Sequence, residues 1–185
     1  MSAILPDKKL SNNTKLEKAF IELGCNSFHK SCEYVSNIPY GRTTKSDDWS
    51  LVLIENRGTC STKHALLKSL ADELNLDIQL TVGIYPMRES NTLGVGSVLQ
   101  NTDFEYIPEA HCYLTFQGER FDFTRANCEA EEPINTFFQE TEIQPDEVGH
   151  RKKEIHKTFI KKHFPKKGFE EVWLIREKCI FALST

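Results

Sequence analysis

The sequence predicts an α+β protein. Three observations carry that prediction. Apolar residues recur at helical period near the N-terminus, between Cys60 and Leu74, and at the C-terminus; the period changes to two over Ile78–Ile84 and again from Ala110; and Gln117-Gly118-Glu119 joins two alternating runs into a hairpin. A chain of 185 residues can bury roughly 70% of the surface it exposes unfolded, so it needs no disulfide or metal to fold. No internal repeat, Gly/Ser linker or low-complexity tract interrupts it, and a single domain over residues 1–185 is expected.

The elements follow in order. From about Ser11 to Leu23, Leu16, Ala19, Phe20 and Leu23 fall at helical spacing, with Gly24 placed to end the helix. Ser27 to Asn37 repeats the pattern through Phe28, Cys32 and Val35 and stops before Ile38-Pro39. A polar loop, Gly41 to Asp48, and a short apolar run, Leu51 to Ile54, lead into a third helix. There Leu66, Leu67, Leu70, Ala71 and Leu74 share a stripe, and Thr59 is the expected N-cap. Ile78, Leu80, Val82 and Ile84 then alternate as a half-buried strand ending at Pro86, and Met87 to Pro108 reads as a long surface loop. In the hairpin, Ala110 to Phe116 sets Cys112, Leu114 and Phe116 on one face and His111, Tyr113 and Thr115 on the other. Arg120 to Thr124 returns, with Phe121 and Phe123 pointing one way and Asp122 the other. Phe169, Val172, Trp173, Arg176, Cys179, Ile180 and Leu183 mark a C-terminal helix.

Charge narrows the function classes. The net charge is −4, from 23 basic and 27 acidic residues, which removes the usual electrostatic case for nucleic acid as a partner. No segment approaches the ~20 apolar residues a bilayer requires, so no membrane partner is expected. The hydrophilic start MSAILPDKKLSNN points to a cytoplasmic protein rather than a secreted one. An acidic stretch carries Glu129, Glu131, Glu132, Glu140, Glu142, Asp146 and Glu147. A basic one follows, with Arg151, Lys152, Lys153, Lys157, Lys161, Lys162, Lys166 and Lys167; both read as solvated faces, a basic helix for an acidic partner being the alternative.

The six cysteines are Cys25, Cys32, Cys60, Cys112, Cys128 and Cys179. Disulfide-dependent scaffolds are short and secreted, and no C-x-x-C pair suggests zinc, so free thiols and no metal or cofactor are expected. Cys25, Cys32, Cys112 and Cys179 fall at packing positions, and Cys128 has no assigned role. His150, His156 and His163 stand at different helical phases and form no expected metal cluster.

Cys60 differs from the other thiols. A thiol attacks as thiolate, which the positive end of a helix dipole and a neighbouring imidazolium both favour. Gly58-Thr59 gives the chain room to turn, and a long helix begins at Cys60, whose backbone N–H can point at a developing oxyanion. His111, on the polar face of its strand, is the candidate general base. Asp122, across the short turn and on the same side, can orient the imidazole and stabilise its charged form. His64 follows Cys60 by four residues but shares a stripe with Leu67, Ala71 and Leu74, and is expected as a hydrogen-bonded core histidine.

These segments resemble a known family. RGTCSTKHALLKSLADELN is similar to the nucleophile segment of the transglutaminase-like superfamily, in which a glycine, one residue and the catalytic Cys open the central helix. EAHCYLTFQGERFDFT resembles that family's strand–turn–strand, with its His, an aromatic residue two positions on, and its Asp after the turn. The match runs in order from about Asn56 to Thr124. It implies a papain-like α+β fold, with the Cys-bearing helix packed on an antiparallel sheet between flanking N- and C-terminal helices. It also implies acyl transfer at glutamine, amide or peptide carbonyls, with Cys60 as nucleophile, His111 as general base and acid, and Asp122 as orienter. The expected partner is a peptide, protein or small amide substrate.

The chain departs from the family's pattern at several points. Ser61 replaces the aromatic residue that often follows the catalytic Cys. Tyr40 and Trp49 are the upstream candidates for completing the oxyanion hole. The Met87–Pro108 insertion lengthens the interval from Cys60 to His111. The calcium-dependent animal transglutaminases are far larger, so the resemblance does not imply cross-linking, and the paired C-x-x-C motifs of peptide N-glycanases are missing. The leading expectation is a cysteine peptidase or amidase acting through a thioester on Cys60. The alternatives are an acyltransferase with an amine acceptor, transglutaminase-like or arylamine N-acetyltransferase-like (Arg57-Gly58 resembles the latter's turn), and an inactive binding module on the same fold.

Overall fold

The computed structural model describes residues 4–127, 130 and 133–183. Among them are seven helices and four strands: α1 (Lys15–Glu22), α2 (Phe28–Asn37), α3 (Leu51–Glu55), α4 (Cys60–Glu73), β1 (Gln79–Met87), α5 (Gly96–Leu99), β2 (Ile107–Phe116), β3 (Glu119–Phe121), β4 (Gln139–Ile143), α6 (His150–His163) and α7 (Phe169–Ala182). The strands form one antiparallel sheet in the order β3-β2-β1-β4, and the protein is α+β. No helix among the described residues is long and apolar enough to cross a membrane.

The chain divides into two compact units. The first holds the residues up to Thr81, Cys112–Ala126 and Glu142–Gly149; the second holds Val82–His111, Asn127–Thr141 and the residues from His150 onward.

Local chemistry sets the helix ends in the first unit. Thr14 caps α1 by accepting the Glu17 N–H at 3.1 Å. Gly24 (φ +83°) ends the helix as expected: its N–H donates to the Ile21 carbonyl and that of Cys25 to the Phe20 carbonyl, the paired bonds of a Schellman motif. Ser27 caps α2, which presents Phe28, Cys32 and Val35 inward. The predicted run Leu51 to Ile54 is a short helix, with Val52 buried. At the centre lies α4, buried along almost its whole length against α2, α3 and the 3-10 turn Pro145–Glu147. Its last turn closes on Asn75 in the left-handed region, with the same pair of bonds as at Gly24.

The hairpin is tighter than its surroundings. Leu114, Thr115 and Phe116 pair with Phe121, Arg120 and Glu119, leaving Gln117 (φ +49°) and Gly118 (φ +82°) as a two-residue loop. Two successive positive φ angles give the turn whose twist matches antiparallel strands. The predicted return strand to Thr124 stops at Phe121. Beyond it the Asp122 carboxylate accepts the Thr124 N–H at 2.9 Å and the Thr124 hydroxyl at 2.5 Å, a local turn that competes with ladder bonds.

In the second unit, Tyr85, Met87, Val95, Leu99, Phe104 and Ile107 form a core with Ile160 of α6 and Val172, Ile175 and Cys179 of α7. The stretch read as a surface loop therefore contributes to a core. Its few apolar residues are irregularly spaced and carry no period, yet Val95, Leu99 and Phe104 are buried, and α5 packs on α7. Burial also makes β1 and β2 two-sided rather than half-buried. The strand β4 carries no sequence signal of its own. Its sequence QETEI has no apolar face before Ile143, which suits an edge strand, where charged side chains guard the open hydrogen-bonding row.

A buried ion pair crosses this second core. Arg176 Nε and Nη2 donate to the two Glu109 oxygens at 2.6 and 2.8 Å, and His156 Nε2 lies 2.7 Å from the Pro108 carbonyl. Burial works to raise the Glu109 carboxyl, but the Arg176 and His156 charges hold it below its ordinary value; burial pushes His156 down. Both depressed values mean that the unfolded chain takes up protons first, so acidification removes stability. The loss begins as pH falls below the ordinary histidine value of 6.5 and deepens below the ordinary carboxyl value of 4.5. Glu109→Ala removes the bidentate partner and leaves the buried guanidinium with Glu177 alone at its Nη1 (2.6 Å) among the carboxylates that pair with it here, and is expected to lower unfolding free energy by about 3 kcal/mol in denaturant titration. A loss below ~1 kcal/mol would mean that the pair does not hold this core.

Candidate functional site

The loop entering α4 is fixed by backbone pairing. The Gly41 N–H donates to the Gly58 carbonyl, and the Gly58 N–H to the Pro39 carbonyl, each at 3.2 Å, so the Tyr40 segment runs beside the residue two positions before Cys60. Gly58 is required for space. A Cβ there would meet Lys63 Cγ at 2.9 Å, and Thr62 Oγ1 and Val52 Cγ2 at 3.2 Å. Thr59 is the N-cap, as expected, and its N–H donates to Thr62 Oγ1 at 3.0 Å. Cys60 is then the first helical residue, 7% exposed, at the positive end of the 14-residue α4. Its Sγ lies 3.8 Å from Ser61 Oγ, and the same hydroxyl accepts from Cys112 Sγ at 3.6 Å.

Lys63 and His64, further along the same turns, carry polar groups inward. Lys63 is fully buried, and its Nζ donates to the Ile38 carbonyl at 2.5 Å and the Thr124 carbonyl at 2.7 Å. Burial pulls its ammonium down to about 8; Arg125 acts in the same direction, while Asp122 and Cys60 oppose it. His64 is also fully buried, as its stripe implied. Its Nδ1 lies 2.7 Å from the Cys60 carbonyl, and its Nε2 lies 2.7 Å from the Phe123 backbone nitrogen. A backbone amide can only donate, so Nε2 is the acceptor and the proton sits on Nδ1, donated to Cys60 O. Both ring nitrogens are thus committed, and His64 in this arrangement is not a base for Cys60.

These bonds place Asp122. Phe123 is tied to His64 and Thr124 to Lys63, so the segment that follows β3 is docked on the first turns of α4. The Asp122 carboxylate, 45% exposed, stands 3.5 Å from His64 Nε2. Because that nitrogen already accepts from Phe123, the approach is not an ion pair while the ring is neutral. Asp122 also lines an open cleft of about 560 Å³ between α2 and the segment after β3, together with Cys32, Glu33, Phe121, Phe123 and Arg125; Cys60 is not in its lining.

His111 lies on β2, in the second unit, 8% exposed and with its ring edge-on to Tyr85 at 6.0 Å between centroids. The structure therefore sets Asp122 and the Cys60 helix together within the first unit and places His111 at the second unit's last residue before Cys112. Of the two oxyanion candidates, Tyr40 pairs along the backbone with Gly58 and carries Arg125 over its ring at 4.9 Å, while Trp49 stands at the entry to α3.

The other thiols divide as their positions implied. Burial raises Cys25 and Cys32 and pushes Cys179 up to about 11. Cys112 is fully buried, and Cys128 lies outside the described residues. Among the described residues no cluster of His, Cys, Asp and Glu could hold a metal ion. Lys63 is the residue that sequence reasoning missed. Its signal was present in the spacing, since Lys63, Leu67, Leu70 and Leu74 repeat at helical period on one stripe.

No protein-family model, curated protein or solved structure matches the chain.

Gly58 offers a direct test of this packing. Gly58→Ala forces its Cβ against the Lys63 stem and is expected to cost about 1–3 kcal/mol in unfolding free energy. The same variant should change the rate at which Cys60 is alkylated; an unaffected rate and stability would contradict the close approach.

Proposed function

We propose that the chain is a cysteine-dependent acyl-transfer enzyme, a peptidase or amidase of transglutaminase-like fold working through a thioester on Cys60. The observation that supports this best is the placing of Cys60 as the first residue of a long, central, buried helix, with the Asp122-bearing segment docked on the turns just behind it. Two further points favour it. The competing imidazole, His64, is engaged at both nitrogens, and the other thiols that shift do so away from the thiolate.

In this reading His111 takes the Cys60 thiol proton, and the thiolate sulfur bonds to the substrate carbonyl carbon. The electron pair moves to oxygen, and first-turn backbone amides at the positive end of α4 favour that charge. Collapse breaks the C–N bond, and the His111 imidazolium protonates the departing amine. Water then attacks the thioester with His111 as base, releasing a carboxylic acid and restoring the Cys60 thiol. Asp122 keeps the His111 imidazole in the productive tautomer and stabilises its charged form. An amine in place of water gives the acyltransferase outcome, so the product tells the two apart.

The test is site-resolved alkylation between about pH 5 and 9, the range that brackets His and thiol titration. Iodoacetamide is expected to modify Cys60 ahead of Cys25, Cys32, Cys112 and Cys179 below the ordinary thiol value, and His111→Ala should slow it at least about tenfold. Cys60→Ala should abolish turnover of peptide or amide substrates. If Cys60 follows an ordinary thiol titration and ignores His111, the proposal fails.

A further inference from the structure

A lysine with no exposed surface, on the same helix as a nucleophilic thiol and one turn from it, needs a physical reason. Burying an ammonium costs several kcal/mol unless its protons are taken up by acceptors. Lys63 has such acceptors, and they come from two different stretches of chain: the Ile38 carbonyl at the end of α2 and the Thr124 carbonyl two residues after Asp122. The path of its stem is also kept clear. Gly58 has no Cβ where Lys63 Cγ passes, so this path of the lysine stem depends on the glycine of the loop before Cys60. Residues at i and i+3 face one another along a helix, which puts the ammonium-bearing side chain on the Cys60 side of α4.

The charged groups acting on Lys63 are Cys60 on its own helix and Asp122 and Arg125 on the segment after β3; the Ile38 segment contributes a carbonyl dipole.

We propose that Lys63 is a positioning residue for Cys60: its buried ammonium pins the Asp122-bearing segment to the start of α4 and supplies a positive charge beside which the Cys60 thiolate forms. The inference rests on the reading of Cys60 as a thiolate nucleophile. It adds that the charge favouring that thiolate comes from within the helix as well as from its dipole. Lys63→Met keeps the apolar stem but removes both the charge and the bonds to the Ile38 and Thr124 carbonyls, so a second measurement that leaves Lys63 in place isolates the charge.

Two measurements test it. In Lys63→Met, the midpoint of the Cys60 alkylation-rate profile is expected to rise by about one pH unit, a roughly tenfold lower rate below the midpoint. An unmoved midpoint in a folded variant would mean that the ammonium does not act on the thiol. The second measurement leaves Lys63 intact. NMR titration of the Lys63 side chain should show its midpoint falling when Cys60→Ala removes the thiolate, because coupling between two charges is reciprocal. This arm decides the matter if Lys63→Met does not fold. Unchanged midpoints in the arms that can be read would overturn the inference. The outcomes are separable from those of the enzymatic proposal, since coupling can be present in a protein with no turnover, and turnover can be present without coupling.

Discussion

The first half of α4 carries polar side chains into the interior, and the rest of the first unit is arranged to satisfy them. Thr62 answers the Thr59 N–H, Lys63 reaches the carbonyls of Ile38 and Thr124, and His64 lies between the Cys60 carbonyl and the Phe123 N–H. Among the described residues no buried side-chain nitrogen or oxygen lacks a partner. An unsatisfied polar group there would cost about 1–3 kcal/mol, and more if charged. The end of α2, the loop through Gly58 and the segment after β3 are therefore held in place by α4 rather than by apolar packing alone.

This arrangement explains where sequence reasoning succeeded. The helices α1, α2, α4 and α7 carry a repeating apolar stripe and marked ends, and the hairpin carries its turn residues, so each was legible. Gly24, Ser27 and Thr59 act locally, through backbone geometry and capping bonds that a few residues specify. The same is true of Cys60, whose position at a helix start follows from the loop before it.

The rest was not legible because its cause is tertiary. The edge strand β4 is polar on both faces until Ile143, and only the neighbouring strand makes it a strand. Val95, Leu99 and Phe104 have no period, and it is packing with β1, β2, α6 and α7 that makes them core. The sequence pattern makes Asp122 a strand residue opposite His111's strand; its own carboxylate bonds to Thr124 take it out of the ladder, and His64 and Lys63 fix the segment instead. Lys63 sat in plain view on the leucine stripe, but a lysine at such a position is ordinarily exposed. Its burial depends on two carbonyls distant in sequence.

For function, the consequence is a thiol held at the junction of a capped loop and a buried helix whose next turns are fully satisfied. Rigid support of this kind is what a nucleophile needs, since small displacements are costly to an attack geometry. The most direct test of that claim is whether Cys60 accepts an acyl group. The protein would be mixed with an activated acyl ester, quenched in acid and analysed by intact and peptide mass spectrometry. The account predicts one acyl group, on Cys60, removed by hydroxylamine and absent from Cys60→Ala. Acylation spread over surface lysines, or none at Cys60, would contradict it.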